Sequence, residues 1–560
     1  MLIQIAHNAV NAKLLTEDKD LKYILTELLS YHVSGYENMT SYQNGSWDGR
    51  SSFFNYKKGT FPAGFVTMIK ERLERIGHQV SILRIEAPEP LGDESMKVDG
   101  FGYSEQYKYQ YDAVDRFLKQ KQMIARVATG GGKTRVAKLA ISRIGRKTLF
   151  LTTRKSLMYQ MKKSVEETMG IEVGIIGDSI MDVKPFVNVG MVQTISTNLK
   201  TRSVAEEVVR LQELEKNKFE KLITEQEKLL NKKLKAGSIN LLNKNNQLSK
   251  FKQTLNNKRK SIAFLQKLAT RNCRNLTQKS EQMKKILSTF EFVIAEEAHE
   301  SGGTEYFDVM QHCINAHYRL ALTATPFMKE DEEANMRLMA CSGMVGIIVT
   351  EKELIEKGIL AKPYFMFIDN KRPLGVFPTT NYVSAYDDGI VHNDLRNQDI
   401  VNWAKWGAVR KLPVLILVNR TEHGNILKNM LQSDGLRCSF IYGKDEEEVR
   451  QLNLQKLGNG DIDVLIGTNI LDVGVDVPSI GEVILAAGGK AEVQLRQRIG
   501  RGLRKKKTGK NVTYIVDFQD SFNKHLLKHA KTRQEIIKNT PGFVEGIVTD
   551  FNLIEDNNEV

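Results

Sequence analysis

Residues 123–140 read MIARVATGGGKTRVAKLA. Met123–Ala128 is short and apolar enough for a buried strand, and the residues after Thr134 take up helical spacing. Between them stand Gly130, Gly131 and Gly132. No side chain there stops backbone N–H groups from closing around phosphate oxygens. Lys133 can reach the β- and γ-phosphates and the Thr134 hydroxyl can ligate Mg²⁺. The helix that follows points its positive end at the anion. The strict GxxxxGK[ST] pattern wants glycine at 127, where this chain has Val127. Strand, loop, Lys-Thr pair and helix agree, which favours a phosphate loop over a glycine-rich turn of no function.

Short apolar runs continue on either side, at Thr148–Thr152, Phe186–Val192, Phe292–Ala295 and Tyr318–Leu322. Alternating with helical segments, they read as the parallel strands of a doubly wound α/β domain. Phe292–Ala295 runs into Glu296, Glu297, Ala298 and His299. One carboxylate at a strand tip can hold Mg²⁺ through water, and its neighbour can orient and deprotonate an attacking water. Alone, a Glu-Glu pair is a common exposed turn; beside a phosphate loop it reads as the second half of an ATPase site. A second series runs through Val414–Val418, Ser439–Tyr442, Val464–Thr468, Glu482–Ala486 and Val512–Val516. The expected fold class is therefore α/β, with two tandem doubly wound parallel-sheet domains.

The 560 residues are 41% apolar and 26% charged, too apolar for a disordered chain. A net charge of +14 suggests a polyanionic partner. No run of about 18 apolar residues occurs, which excludes a helical membrane span. The start, MLIQIAHNAVNAKLL, has no basic leader or cleavage site. The four cysteines form no CxxC pair, so neither a disulfide framework nor a cysteine zinc site is indicated. The expected location is cytoplasmic.

Residues 1–92 mix helix and strand patterns and are read as a small α+β nucleic-acid-binding domain. The first α/β domain is placed at 103–350, the second at 351–540, and a tail at 541–560. An insertion at 201–288 interrupts the first. From Thr201 to Phe290 there are 21 Lys/Arg, 8 Glu, no Asp, no Pro and only Gly237, which accounts for nearly all of the chain's charge excess. Leu241, Leu248, Leu255 and Ile262 recur every seven residues. The spacing predicts an antiparallel coiled-coil hairpin of two helices turning at Gly237-Ser238, each arm about 45 Å long. An internal turn lets the halves pair with each other, so a monomer is expected. The arm could clamp or separate nucleic-acid strands, dock another protein, or be a solvated spacer.

Taken together, the motifs resemble those of superfamily 2 nucleic-acid helicases, with two RecA-like motor domains. Tyr109-Gln110 resembles the adenine-reading glutamine motif. LFLTTRKSLMYQ (149–160) and VGMVQT (189–194) resemble strand-contacting segments. EEAH (296–299) resembles the DEAH box, and LTATP (322–326) the motif coupling hydrolysis to movement. VLILVNRTEHGNIL, IGTNILDVGVDVPSI and QRIGRGLRKKKTGK resemble the fourth to sixth motifs. WDGR (47–50), KKGTFPAGFV (57–66) and YIVDFQDSF (514–522) with Arg533 resemble phage recombination helicases of the UvsW kind. Three departures stand out: Val127, Lys108 before Tyr109, and Glu296 in place of aspartate.

The resemblance implies ATP and Mg²⁺ as cofactors. Gln110, Gly130, Gly131, Gly132, Lys133, Thr134, Gly474 and Asp476 would bind nucleotide, with Thr134 and Glu296 on the metal. Glu297 would be the base, and Gln497, Arg501 and Arg504 would complete catalysis. His299, Thr323 and Thr325 would couple the phosphate state to the strand face. Arg154, Gln193 and Thr468, with Trp47 and Arg50 of the first domain, would touch nucleic acid; a hairpin turn with Trp47 in a small core is an equal reading of 47–50. The implied activity is ATP-driven remodelling of branched DNA, by branch migration, fork regression or unwinding of R- or D-loops. An RNA or RNA–DNA helicase, a restriction-system motor subunit and a non-unwinding ATP-dependent clamp are the alternatives. The implied partner is branched or duplex DNA or an RNA–DNA hybrid, in the host cytoplasm if the chain is phage-encoded.

Overall fold

The computed structural model describes residues 2–93, 98, 102–257, 260–297, 303–327, 331–443, 445–468, 480–489, 499–500, 502–506 and 509–552. The chain begins with β1 (Leu2–His7), β2 (Asn11–Leu14), β3 (Ser30–His32), β4 (Arg50–Ser52), β5 (Thr60–Pro62) and β6 (Gln79–Arg84). Four of them form a sheet in the order β5-β2-β1-β6, with β1 and β6 parallel. Ile3 and Ile5 of β1 and Ala12 and Leu14 of β2 alternate inward, as a one-sided sheet requires. They pack on Leu21 and Leu25 of the helix Lys19–Leu28 and Ile69 and Leu73 of the helix Val66–Arg75. β3 and β4 make a separate antiparallel ribbon. Ala340 and Met339 of the helix Glu332–Ser342 complete this core from the next domain. A Cβ on Gly64 would run into the Met339 carbonyl oxygen, so glycine is what lets the two units approach.

The next sheet contains β7 (Gln122–Val127), β8 (Thr148–Thr152), β9 (Val173–Gly177), β10 (Ile180–Asp182), β11 (Val187–Met191), β12 (Phe292–Glu296), β13 (Tyr318–Thr323) and β14 (Val345–Val349). Its order is β10-β9-β11-β8-β12-β13-β7-β14, parallel except for the edge strand β10. All five residues of β8 are buried, because helices cover both faces. β12, β13 and β7 are neighbours, so their carboxyl ends deliver the acidic pair, Thr323 and the glycine loop to one rim.

The third sheet holds β15 (Lys362–Ile368), β16 (Val414–Leu417), β17 (Cys438–Ile441), β18 (Val464–Gly467), β19 (Glu482–Leu485) and β20 (Val512–Phe518). It is parallel throughout, in the order β15-β20-β19-β16-β18-β17. Leu360, Phe365 and Leu503 share an apolar cluster with Val127 and Ala128, so the two α/β domains meet through packed side chains.

Between the helix Val192–Leu199 and β12 stand three helices, Val204–Lys235, Leu241–Asn257 and Ile262–Leu287. The first opens on a capping box of Ser203 and Glu206. Its root is pinned by Glu207, which is fully buried and accepts hydrogen bonds from Arg210 and Asn272. The Arg210 hydrogen bonds hold that carboxyl down at about 2. Two points differ from the sequence reading. The return path is two helices rather than one, and of the heptad row only Leu255 is buried; Leu241 is 59% and Ile262 63% exposed. A heptad row is buried only where a facing helix runs beside it. Here the buried row is Leu265, Ala269, Cys273, Ser280, Met283 and Leu287 of the third helix. Among the described residues no helix is long and apolar enough to cross a membrane.

Candidate nucleotide site

Gly132, at φ +80°, caps the helix Lys133–Ile144, and Gly130 sits at φ +83°. Both angles lie where a side chain is strained. A Cβ on Gly131 would stand 2.7 Å from Val127 Cγ1 and 2.9 Å from Leu354 Cδ1. Val127, fully buried at the end of β7, thus fills the space beneath the loop and leaves no room for a larger residue at 131.

Below the loop, the Tyr109 hydroxyl donates to the Gly131 carbonyl at 2.7 Å, and Gln110 Nε2 donates to the same oxygen at 3.2 Å. Gln110 Oε1 accepts from Arg135 Nη1 at 2.6 Å. Gln110 is only 2% exposed. Its amide is engaged on both sides by the loop and its helix, which makes it a brace for the phosphate loop in this arrangement instead of an open base-reading group. Arg135, which the sequence reading passed over, completes the brace and also lies over the Tyr111 ring. Its position two residues after Lys133 on the loop helix was the available signal.

Lys133 Nζ lies 3.5 Å from Glu297 Oε1, both side chains largely buried. Glu297 follows β12 with φ +46°, an uncommon conformation for a non-glycine residue and one that turns the chain directly after Glu296. Burial, reinforced by the Glu297 charge, pushes Glu296 up to about 7, with Lys133 acting the other way. A glycine cradle and helix N-terminus suit a phosphate chain. A Thr134 hydroxyl and a desolvated carboxylate pair suit the divalent cation that accompanies it. Thr323, fully buried, accepts the Thr325 N–H at 3.2 Å and holds the turn after β13.

The second α/β domain reaches this rim. A Cβ on Gly500 would sit 2.6 Å from Thr129 Cγ2, and Leu360 lies against Gly130. Arg504 is bridged to Leu360 and half-buried, and burial lowers its pKa. Asp517 takes three hydrogen bonds from Arg533, whose Nη1 donates to the Gly489 carbonyl, one residue before position 490. His299, Gly474, Asp476, Gln497 and Arg501 lie outside the described residues.

Of the expected nucleic-acid contacts, Arg154 directly precedes the helix Lys155–Met169, Gln193 is exposed in the first turn of Val192–Leu199, and Thr468 follows β18. Trp47 and Arg50 stand at the start of the β4 ribbon, both half-buried. Trp47 Nε1 donates to the Arg50 carbonyl, Asp48 accepts the Arg50 N–H, and Arg50 pairs with Glu27. Gly49, at φ +81° and packed on Tyr36, folds the segment back on itself.

The rim so built, at the seam of two parallel-sheet domains, has the parts a phosphate-loop nucleotide site needs. Comparison with known proteins narrows the class. Residues 104–328 match the family model "Type III restriction enzyme, res subunit", and 405–506 match "Helicase conserved C-terminal domain". With both domains present in order, the chain belongs to the superfamily 2 helicases. A protein of Sulfolobus islandicus filamentous virus, provisionally named helicase 22, is 26% identical over 286 residues, 48% of this chain and 49% of that one. The "Pre-mRNA-splicing ATP-dependent RNA helicase PRP28" of Candida glabrata is 29% identical over 184 residues, 32% of this chain and 30% of that one. The chain thus spans half or less of the length of these curated relatives. The crystal structure of T4 UvsW aligns over 98% of this chain and 99% of its own at 16% identity, with a TM-score of 0.41.

Proposed function

We propose that the protein is an ATP-driven motor that remodels branched DNA. The observation that carries the ATPase part is the Lys133–Glu297 pair, 3.5 Å apart, at the mouth of the glycine cradle. ATP with Mg²⁺ supplies the γ-phosphoryl group for transfer to water. Gly130, Gly131 and Gly132 would cradle the phosphates through backbone N–H groups while Lys133 neutralises their charge. Thr134 and Glu296 would hold the metal. Glu297, held beside Lys133, would orient and deprotonate the attacking water. Arg504, with Arg501 three residues before it in sequence, would approach from the second domain, so hydrolysis would depend on the two domains closing.

Nucleic acid as the polymer is supported by the family and by the charge of 201–290. The choice of branched DNA rests on the sequence resemblance of the first ninety residues and of the last motif. RNA is the second reading, favoured by the similarity to an RNA helicase. Strand displacement from a labelled four-way DNA junction, a forked duplex and an RNA duplex tests the choice. The DNA reading expects the junction to be dissociated fastest, and only with hydrolysable ATP. Preferential displacement of RNA would overturn it.

A further inference from the structure

The charge of the inserted helices is not spread evenly. From Lys228 to Asn257 there are seven lysines and no acidic residue. All but one of the glutamates of 201–290 precede Lys228. Near the root those acids are used: Glu207 by Arg202, Arg210 and Asn272, and Glu215 by the Lys260 N–H. The contact at Glu215 marks where the third helix begins. Beyond it, the rest of the first helix, the Gly237 turn and the second helix reach about 30 Å farther, at 1.5 Å per residue.

That distal end also carries apolar side chains with nothing over them. Leu241 is 59% and Leu242 68% exposed, in the first turn of the second helix, and Leu229 is 48% exposed across the turn. Asn240 accepts the Asn243 N–H at 2.8 Å, which fixes the start of the helix that presents the pair. The second helix buries only Leu255. Exposed leucines ringed by lysines and asparagines do not form an interface between two copies, because the like charges repel. They match a ligand with a polyanionic outside and a flat apolar inside, which is a base-paired nucleic acid. The arm is rooted between the helix Val192–Leu199, which carries Gln193 in its first turn, and β12 with its acidic pair, on the domain that would grip the strand.

We propose that Lys228–Asn257 is a nucleic-acid wedge, its lysines holding the phosphates on both sides of a branch point while Leu241 and Leu242 enter the base stack there. The proposal deepens the motor reading of the preceding section and shares its choice of polymer.

The test uses the full-length protein and a four-way DNA junction with 2-aminopurine at the branch, without nucleotide. Wild type is expected to brighten the probe several-fold on binding. The double substitution Leu241→Ser with Leu242→Ser is expected to bind within about twofold of wild type but leave the probe dark, and to slow junction dissociation by about tenfold. Replacing Lys232, Lys233, Lys235 and Lys244 by Gln should lower the slope of log affinity against log salt by about 3 to 4. A dark wild-type complex, a serine variant as bright as wild type, or an unchanged salt slope would overturn the wedge. A bright wild-type complex without nucleic-acid-stimulated hydrolysis would keep the wedge and remove the motor. Stimulated hydrolysis with a dark probe would do the reverse.

Discussion

Glu297 carries the chemistry of the account, and its geometry makes the reading specific. A left-handed backbone at a non-glycine residue directs its carboxylate to Lys133. Glu297→Gln removes the base but keeps the side-chain volume. Nucleic-acid-stimulated hydrolysis should fall by about 10²-fold or more with nucleotide binding retained, as fluorescent-nucleotide titration would report. Loss of binding together with turnover would mean that the residue holds the loop instead. At Gly132 the argument is steric: φ is +80° and a Cβ would approach Gln110 Nε2 to 2.5 Å. Gly132→Ala should weaken nucleotide affinity and cost about 1 kcal/mol or more of stability. Glu296 is one methylene longer than the aspartate common in the family pattern. Glu296→Asp separates two cases by single-turnover hydrolysis: a faster step marks a slowed switch, and an equal or slower one marks a site adapted to glutamate.

At the scale of elements, the inserted helices and the bracing of the second sheet make separate predictions. Deleting Val204–Lys284 should lower DNA affinity and flatten its salt dependence, since the excised helices carry most of the excess charge. An unchanged slope would make them a spacer. Arg533 is buried with Asp517 and ties β20 to the Gly489 carbonyl. Arg533→Ala strands a buried carboxylate and should cost about 3–5 kcal/mol in chemical denaturation. The two parallel sheets were legible because their central strands are continuous apolar runs between turn signals. The strands β9, β10, β14 and β15 were not singled out, since Gly174 and Gly177 dilute β9, β10 is an exposed edge strand, Gly346 and a register shift interrupt β14, and β15 opens on Lys362 and Pro363. The glycine cradle was legible because glycine suits the positive φ at 130 and 132 and the close packing at 131. The engagement of Gln110 was not, because it depends on Arg135 folding back from the next helix. The heptad row misled because a repeat names a face without naming what covers it.

The whole molecule places its nucleotide rim where two sheets meet, with Gly500 on Thr129 and Leu360 on Gly130. Hydrolysis should therefore report domain closure. The second domain also contains a pH-dependent weak point. Glu482, on the central strand β19, is fully buried with neither carboxylate oxygen hydrogen-bonded, and burial raises its pKa well above the usual range. The folded state thus keeps this carboxyl protonated while the unfolded chain ionises it above about 4.5. Its stabilising contribution is complete below that value and is lost as pH rises towards the folded pKa. Thermal melting of wild type should decline, as pH rises above about 5, more steeply than that of Glu482→Gln. Equal slopes would remove Glu482 from the explanation. For the central claim, the decisive measurement is steady-state ATP hydrolysis by wild type and Glu297→Gln, alone and with equal nucleotides of single-stranded DNA, duplex, four-way junction and single-stranded RNA. The account predicts greatest stimulation by the junction and none in the variant. Stimulation chiefly by RNA, or binding to every polymer without hydrolysis, would contradict it.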